Sequence, residues 1–285
     1  MGRTQKQRPV GQSRAGQTAI AVAAWGAAII FFFPVFWMVL NAFKEELDAN
    51  TSPKLFFSPT LDRFRDVMAD IPGLLTFQEA YINSIVIVVT STIVVLVLSI
   101  PAAYALSIWP VQKWKDVLFF FISTKFLPVV AAILPLWIIA RDLGLLNTRS
   151  VLIILYTAVN IPLAVWMLRS FFGEVPKELI EASQLDGAGL RKQLTSVIMP
   201  IVAPGIAATA LLVFIFSWNE YFLAVQLNPI ESSTVPIWVT STVSTRGNFL
   251  AKLSSASTLA VLPVVLAGWI AQKRMIRGLS MGAVK

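Results

Sequence analysis

Six long apolar stretches, separated by polar segments, dominate the chain. A helix needs about 20 apolar residues to cross roughly 30 Å of hydrocarbon at 1.5 Å per residue. Each stretch approaches that length and none alternates apolar with polar residues, so a helical bundle is predicted and not a barrel. The predicted fold class is an all-α membrane protein with six transmembrane helices, at 19–40, 83–106, 117–140, 150–168, 202–224 and 254–271.

Prolines interrupt several of the apolar stretches. Proline removes a backbone N–H donor and tends to kink a helix. A kinked helix often lines a transport pathway, but proline is also commoner in membrane helices than in soluble ones. Both interpretations stay open for Pro34, Pro101, Pro128, Pro135, Pro162 and Pro263.

The positions of Lys and Arg predict the orientation in the membrane. Cytoplasmic loops collect these residues, and most of the 23 lie in the segments 3–14, 113–115, 169–192 and 273–285. Both termini are therefore predicted to be cytoplasmic. The net charge of +8 is spread over such loops, which indicates membrane lipid and no nucleic acid as a partner. We expect a basic cytoplasmic tail, 1–17, before the membrane domain, 18–285.

The composition excludes most enzyme chemistry. The chain is 56% hydrophobic and 13% charged and contains no His and no Cys, which removes histidine bases, thiol nucleophiles and the usual zinc ligands. The sequence GLSMG at 278–282 matches a nucleophile elbow, but it lacks the strand and the histidine partner that the elbow needs. No Gly-Lys dipeptide is present for a Walker A loop. We therefore predict no catalytic residue, no metal site and no ATP hydrolysis in this chain.

A polar block, EASQLDGAGLRKQLTSVIMP, lies between two apolar stretches at 181–200. Its first half predicts a short helix that Asp186-Gly187 ends, because glycine adopts a positive φ without strain. Asp186 is expected to cap a second helix at 188–198, which Pro200 helps to end. The block is thus two short helices joined by an elbow. It either docks on a partner protein or lies as an amphipathic loop on the bilayer surface.

The spacing in this block resembles the EAA signature of the permease subunits of ATP-binding-cassette importers. The matching residues are Glu181, Ala182, Asp186, Gly187, Ala188, Ile198 and Pro200. Ser183 stands where a second Ala is usual, and Met199 stands where Leu is usual. Both departures are mild and leave the predicted elbow intact.

The resemblance extends over nearly the whole chain. LGLLNT at 143–148, SWNEYF at 217–222 and RGLSMGAVK at 277–285 resemble the maltose-type carbohydrate branch of that family. Within that branch, the segments 123–148 and 251–285 are similar to the sorbitol and mannitol permeases. A sugar or polyol is therefore the solute that the resemblance implies.

The resemblance also implies the fold and the partners. It implies a type I importer permease fold in a bacterial inner membrane, with a coupling helix at about 175–200 that docks on a cytoplasmic ATPase subunit. ATPase coupling is then expected at Glu181, Ala182, Ser183, Asp186, Gly187 and Ala188. The implied partners are a second permease subunit, a dimer of ATPase subunits and an extracytoplasmic solute-binding protein. ATP and Mg belong to the ATPase subunits, and this chain needs no cofactor of its own.

Polar residues within the apolar stretches are candidates for a solute path, because burying them in lipid is unfavourable. The candidates are Lys125, Asn83, Asn160, Trp218, Asn219 and Glu220. Lys125 either contacts a solute hydroxyl or a carboxylate, or extends its ammonium to the lipid headgroups. Asn219 and Glu220 can bond hydroxyls while Trp218 packs on a sugar ring. The alternative for these three is an aromatic belt with a polar helix–helix contact.

Two other functions stay open at this point. An ion-coupled secondary carrier of a small polar solute would also be a helical bundle, with Lys125 and Glu220 as its ion-linked pair. It gives no reason for the polar elbow. A membrane scaffold that transports nothing gives no reason for polar residues in several spans. Co-purification with an ATPase separates the importer from a carrier, which would transport alone.

Overall fold

Helices form all the regular structure in the part of the chain that the computed structural model describes, namely residues 14–51, 53–69, 75–109, 111–241 and 249–282. They are α1 (Arg14–Ala42), α2 (Glu46–Thr51), α3 (Asp62–Met68), α4 (Phe77–Ser107), α5 (Trp114–Ser123), α6 (Val129–Asp142), α7 (Arg149–Gly173), α8 (Lys177–Leu185), α9 (Leu190–Lys192), α10 (Met199–Trp218), α11 (Phe222–Leu227), α12 (Val235–Ser241) and α13 (Leu250–Gly282). The 3₁₀ segment Thr124–Phe126 continues α5, and the π-helical segment Gln193–Ile198 joins α9 to α10. Most of the predicted tail, 1–17, lies outside the described residues.

Five helical segments are long and apolar enough to cross a membrane. They are Gly16–Ala42, Phe77–Ser107, Arg149–Gly173, Leu190–Trp218 and Leu250–Gln272. These segments coincide with the first, second, fourth, fifth and sixth predicted spans, although the fifth begins and ends earlier than predicted. The all-α membrane fold class is confirmed, and the third predicted span is a bent pair of helices, which makes six spans where the pair counts as one.

The third predicted span, 117–140, is broken near its middle. Its halves, Trp114–Phe126 and Val129–Asp142, meet at 88°. The break lies at Leu127 and Pro128, whose ψ angles of 122° and 114° are extended. The proline ring disfavours the helical region for the residue before it, which explains why the helix stops there. The other five prolines singled out in the sequence lie inside helices, and so does Pro204 in the fifth predicted span.

Three long helices form the centre of the bundle. α4 and α7 pack along each other and α10 packs on both, while α13 links α10 to α1 at the edge. Gly205 of α10 is buried so close to α7 that a Cβ atom there would overlap the ring of Phe171. α1 leaves its apolar side chains exposed, with Phe31 81% exposed. The centre is thus tightly packed, whereas α1 presents its apolar surface outward.

The antiparallel helices place their connections at two ends of the bundle. The loop end carries 108–113 and 174–189, and the opposite end carries 143–148 and 219–234. At the loop end, Ser107 donates from its hydroxyl to the carbonyl of Arg169 at 3.0 Å. At the opposite end, Arg149 donates from Nε to Oδ1 of Asn83 at 2.8 Å. Polar bonds between helices therefore fasten the bundle at both ends.

Candidate functional site

The polar block forms a short helix followed by a sharp turn, as predicted. We call residues 177–189 the elbow segment. Within α8, Ile180 and Ser183 are buried, whereas Leu179 and Leu185 are 44% and 89% exposed. Ile180 packs in the apolar cluster at the loop end with residues of α7 and α10. The structure therefore turns Ile180 inward and directs Leu185 outward.

The turn of the elbow segment is closed by backbone hydrogen bonds. Gly187 has φ +72°, its N–H donates to the carbonyl of Gln184 at 3.0 Å, and the N–H of Ala188 donates to the carbonyl of Ser183 at 2.9 Å. This pattern is a Schellman motif, which satisfies the last carbonyls of a helix and needs a residue with positive φ after the helix end. The positive φ predicted for Gly187 is confirmed, and two backbone hydrogen bonds close the turn.

Two details of the second helix differ from prediction. Asp186 does not cap it, because Asp186 is the C-cap residue of α8. The N-cap of the second helix is Gly189, which has no side chain to bond the first N–H groups. The helix also continues through Pro200 as one segment, Leu190–Trp218. The π-helical turn before Met199 changes the hydrogen-bond register there, so the missing N–H of Pro200 does not end the helix.

The outer surface of the elbow segment is exposed and unpaired with the rest of the described chain. Glu181, Ala182, Asp186 and Gly187 are exposed, and Ala188 is half-buried. None of the three ion pairs found among the described residues involves Glu181 or Asp186. Ser183 differs from these residues, because it is buried. The elbow thus presents acidic and apolar groups on a turn closed by hydrogen bonds, while Ser183 faces the bundle.

Sequence patterns did not single out Gln193, which lies beneath the elbow segment. Only 3% of Gln193 is exposed, and its Nε2 donates to the hydroxyl of Ser183 at 2.9 Å. The hydroxyl of Ser183 in turn donates to the carbonyl of Ile180 at 2.7 Å. A buried amide ten residues after the serine leaves no recognisable pattern in one sequence. The departure at Ser183 from the usual Ala was the available signal.

Lys125 lies at the break between α5 and α6, where two clefts meet. One cleft, of about 300 Å³, is lined by Lys125 and Thr124 together with apolar residues that include Leu136, Leu155 and Leu223. The other, of about 450 Å³, is lined by Lys125 and by aromatic residues that include Trp166. The described part of the chain contains no ion pair of Lys125. Its ammonium is therefore placed between two open, mostly apolar clefts.

Two of the predicted path residues are bonded between helices. Asn83 donates to the carbonyl of Ser233 at 3.2 Å and accepts from Arg149. Asn160 donates to the hydroxyl of Ser217 at 3.2 Å and to the carbonyl of Tyr156 at 2.8 Å. Both side chains are almost fully buried. This geometry favours structural contacts over an open path for these two asparagines.

Trp218, Asn219 and Glu220 lie where α10 ends. Trp218 is 4% exposed and donates from its indole to the carbonyl of Ala260 at 3.0 Å. Asn219 donates back to the carbonyl of Ile215 at 2.8 Å. The carboxylate of Glu220 accepts from the N–H of Leu223 at 2.9 Å and caps the short helix α11. The structure does not gather these three around Lys125, although Leu223 lines one of the two clefts.

Comparisons with known proteins agree with this arrangement. A family model described as the binding-protein-dependent transport system inner membrane component matches residues 96–280. The "Probable ABC transporter permease protein y4oR" of Sinorhizobium fredii is 36% identical over 90% of this chain and 92% of its own length. The trehalose/maltose transport system permease protein MalG of Thermococcus litoralis is 32% identical over 90% of this chain and 93% of its own length.

A solved structure shares the architecture. One chain in the crystal structure of a bacterial ABC transporter involved in the import of the acidic polysaccharide alginate matches with a TM-score of 0.71 and 23% identity, over 93% of this chain and 99% of its own. That likeness supports the type I importer permease fold. The family model covers well over half of the chain, so the chain belongs to the binding-protein-dependent transport system inner membrane components, the multi-pass permease subunits of ATP-binding-cassette importers.

Proposed function

We propose that this chain is one of two permease subunits of an importer that carries a carbohydrate, either a sugar or a polyol. A dimer of ATPase subunits would bind ATP and Mg, and an extracytoplasmic solute-binding protein would deliver the solute. The relatives support a carbohydrate, since one is a trehalose/maltose permease and the solved neighbour belongs to an alginate importer. The likeness of 123–148 and 251–285 to sorbitol and mannitol permeases is the reason for including polyols.

The observation that carries this proposal is the rigid elbow with its exposed surface at the loop end. Leu185 is 89% exposed beside the acidic residues Glu181 and Asp186. Exposed apolar groups with charged neighbours are typical of a surface that a partner covers. We assign Glu181, Ala182, Asp186, Gly187 and Ala188 to contact with an ATPase subunit. Ser183 is buried, so its part in coupling is to hold the elbow against the bundle.

Orientation is part of the proposal. Both termini and the elbow segment would face the cytoplasm, and the exposed apolar faces of the long helices would contact lipid and the second permease subunit. A rigid elbow suits a transmitter, because packed elements shift as units and convert a small displacement into repacking of helices. ATP binding must then stabilise one arrangement of the permease more than the other.

Charge reversal at the elbow tests the proposed coupling surface. In a chain carrying Glu181→Lys and Asp186→Lys, we expect capture of the partner ATPase by the purified permease pair to weaken about 100-fold, since like or unpaired charges in an interface cost several kcal/mol. Glu45→Lys with Glu231→Lys is the matched control, because both residues are exposed acids at the opposite end. Unchanged ATPase capture by the elbow variant would refute the assignment.

We also propose that Lys125 contacts the solute. An ammonium carries three donors that suit hydroxyl oxygens, and Lys125 and Thr124 are the polar residues in the lining of the 300 Å³ cleft. A cleft of that size lies near the lower limit for small-molecule sites, so the second permease subunit would complete it. Asn83, Asn160, Trp218, Asn219 and Glu220 would then support the helices around the path, because each already makes at least one hydrogen bond within the described chain.

Replacing the ammonium tests this assignment. Lys125→Met keeps most of the side-chain volume, and we expect the KM for solute uptake in proteoliposomes to rise about tenfold or more, since hydrogen bonds to charged groups contribute roughly 1.5–3 kcal/mol. Lys54→Met, at an exposed position near the opposite end, serves as the control with an unchanged KM. An unaltered KM in Lys125→Met would instead support a role at the lipid headgroups.

The structure gives little support to an ion-coupled carrier. Such a carrier would need Lys125 and Glu220 as a pair, but the Glu220 carboxylate accepts from the N–H groups of Leu223 and Ala224. The ion pairs found among the described residues involve neither side chain. The rigid elbow also has no function in a protein that transports alone. Family membership and the geometry therefore agree on the importer.

A further inference from the structure

The buried side chain of Gln193 joins three elements at the loop end. Its Nε2 donates to the carbonyl of Ile180 at 3.2 Å as well as to the hydroxyl of Ser183, both in α8. Its Oε1 accepts from the hydroxyl of Tyr104 in α4 at 3.1 Å. Gln193 itself is the first residue of the π-helical segment that leads into α10. One amide thus links the elbow segment to the ends of two central helices.

The network continues beyond Gln193 to the segment after α4. The hydroxyl of Tyr104 accepts from the indole N–H of Trp109 at 2.8 Å, so each polar group in the chain of bonds has a partner. The surroundings are apolar, with Leu168, Phe172 and Ile198 fully buried in the same cluster. A hydrogen bond in such surroundings is hard to break, because no water replaces the lost partner.

We infer that Gln193 is a positioning residue for coupling, which fastens the elbow segment to α4 and α10 so that all three move as one unit. The inference rests on the proposed function. Without this amide, α8 would be attached to the bundle through its chain connections and the apolar contact of Ile180. Apolar contacts are not directional, so the elbow could slide when an ATPase subunit pushes on it. The hydrogen bonds of the Gln193 side chain are directional, so they hold α8 in one orientation against the bundle.

The decisive variant is Gln193→Leu, because leucine fills the apolar site but cannot bond. Leucine leaves the buried Tyr104 hydroxyl without its acceptor, and an unpaired buried donor lowers stability. We therefore expect a somewhat lower melting temperature and normal ATPase capture, but about tenfold less solute imported per ATP hydrolysed at a temperature where the variant is folded, because the two hydrogen bonds from Gln193 to α8 are lost. The probe solutes are trehalose, maltose and sorbitol, each tested first with the unaltered complex. Gln226→Leu, at an exposed position near the opposite end, is the matched control.

A second pair of variants keeps the test valid if Gln193→Leu fails to fold. Ser183→Ala removes one acceptor of the amide and should lower the import-to-ATP ratio less than Gln193→Leu does. Where Gln193→Leu folds, combining the two should lower the ratio by less than the sum of the single effects, because both variants remove the bond between Gln193 and Ser183. Ser99→Ala is the matched control, since Ser99 is fully buried and its hydroxyl has no partner among the described residues. A full import-to-ATP ratio in Ser183→Ala, or an additive double variant, would overturn the inference.

A distance measurement reads the attachment directly and needs no solute. Nitroxide labels at Gln184→Cys and Leu98→Cys report on α8 and α4, and the chain contains no other cysteine. We expect one narrow distance distribution with and without Mg-ATP in the assembled complex, and a broad or doubled one after Gln193→Leu. A narrow distribution in the variant would refute the inference. If the unaltered chain captures no ATPase, the proposed function fails instead, whatever the label distance is.

Discussion

A close contact between two central helices depends on a glycine, which has no side chain. Gly205 is buried in α10, and a Cβ there would overlap the ring of Phe171 in α7. We expect Gly205→Ala to lower the free energy of unfolding by about 1–3 kcal/mol, because an added methyl group in a close-packed contact forces its neighbours apart. Thermal unfolding of the purified permease pair in detergent measures this loss.

Two controls separate the overlap from the general effect of alanine. Gly268→Ala adds the same methyl group to α13 at a position with nothing within 4 Å, and it should leave stability unchanged or slightly raised. Adding Phe171→Ala to Gly205→Ala removes the ring that is overlapped, so the two losses should combine to less than their sum. Full additivity would show that the contact is not the cause.

Individual residues were predictable from sequence where the cause is local. The positive φ of Gly187 follows from a short helix that ends at a glycine, and the break at Pro128 follows from its ring. The role of Gln193 was not predictable, because its partner Tyr104 is 89 positions away. The bonds of Trp218 and Glu220 are likewise set by packing, which a single sequence does not reveal.

At the scale of elements, length and apolarity predicted which segments are helices, because the bilayer sets both. The limits of the helices followed those rules less well. The fifth span begins at Leu190 and passes Pro200, since a π-helical turn absorbs the proline. The third span bends by 88° at a proline that could equally have produced a mild kink. A proline marks a place where a helix can bend or stop, but the residues packed around it set the angle between the two segments.

The bend between α5 and α6 gives a prediction at this scale. Labels at Lys115→Cys and Asp142→Cys would lie about 40 Å apart on a straight helix, whereas two segments at a right angle would hold them roughly 26 Å apart. We expect the unaltered chain to show the short distance. Pro128→Ala should add a population at the long distance, because Leu127 can then enter the helical region. Distances between nitroxide labels measure both.

Pro135→Ala is the matched control for the bend. Pro135 lies within α6, which continues through it, so its replacement should leave the short distance unchanged. If Pro128→Ala also keeps only the short distance, the contact between α6 and α11 holds the bend and the proline merely tolerates it. That result would show that packing, and not the steric effect of the proline ring, causes the bend between α5 and α6.

At the scale of the whole molecule, the two ends of the bundle differ in their polar contacts and in their exposed residues. The opposite end is fastened by bonds such as those of Asn83 to Arg149 and Ser233. The loop end carries the elbow segment, whose leucines and acidic residues are exposed. The proposed mechanism needs the loop end in the cytoplasm, where ATP is available, and the opposite end outside, where a solute-binding protein arrives.

Labelling of single cysteines tests this orientation. Gln184→Cys lies at the loop end and Lys54→Cys near the opposite end, and both positions are exposed. In intact spheroplasts a membrane-impermeant maleimide should label Lys54→Cys and spare Gln184→Cys, and in inside-out vesicles the pattern should reverse. Labelling after solubilisation in detergent shows that both thiols react. Because the chain has no cysteine of its own, the label on the chain purified after the reaction comes from the chosen position. Labelling of Gln184→Cys from outside would place the elbow away from any ATP-driven partner, and coupling through it would then be impossible.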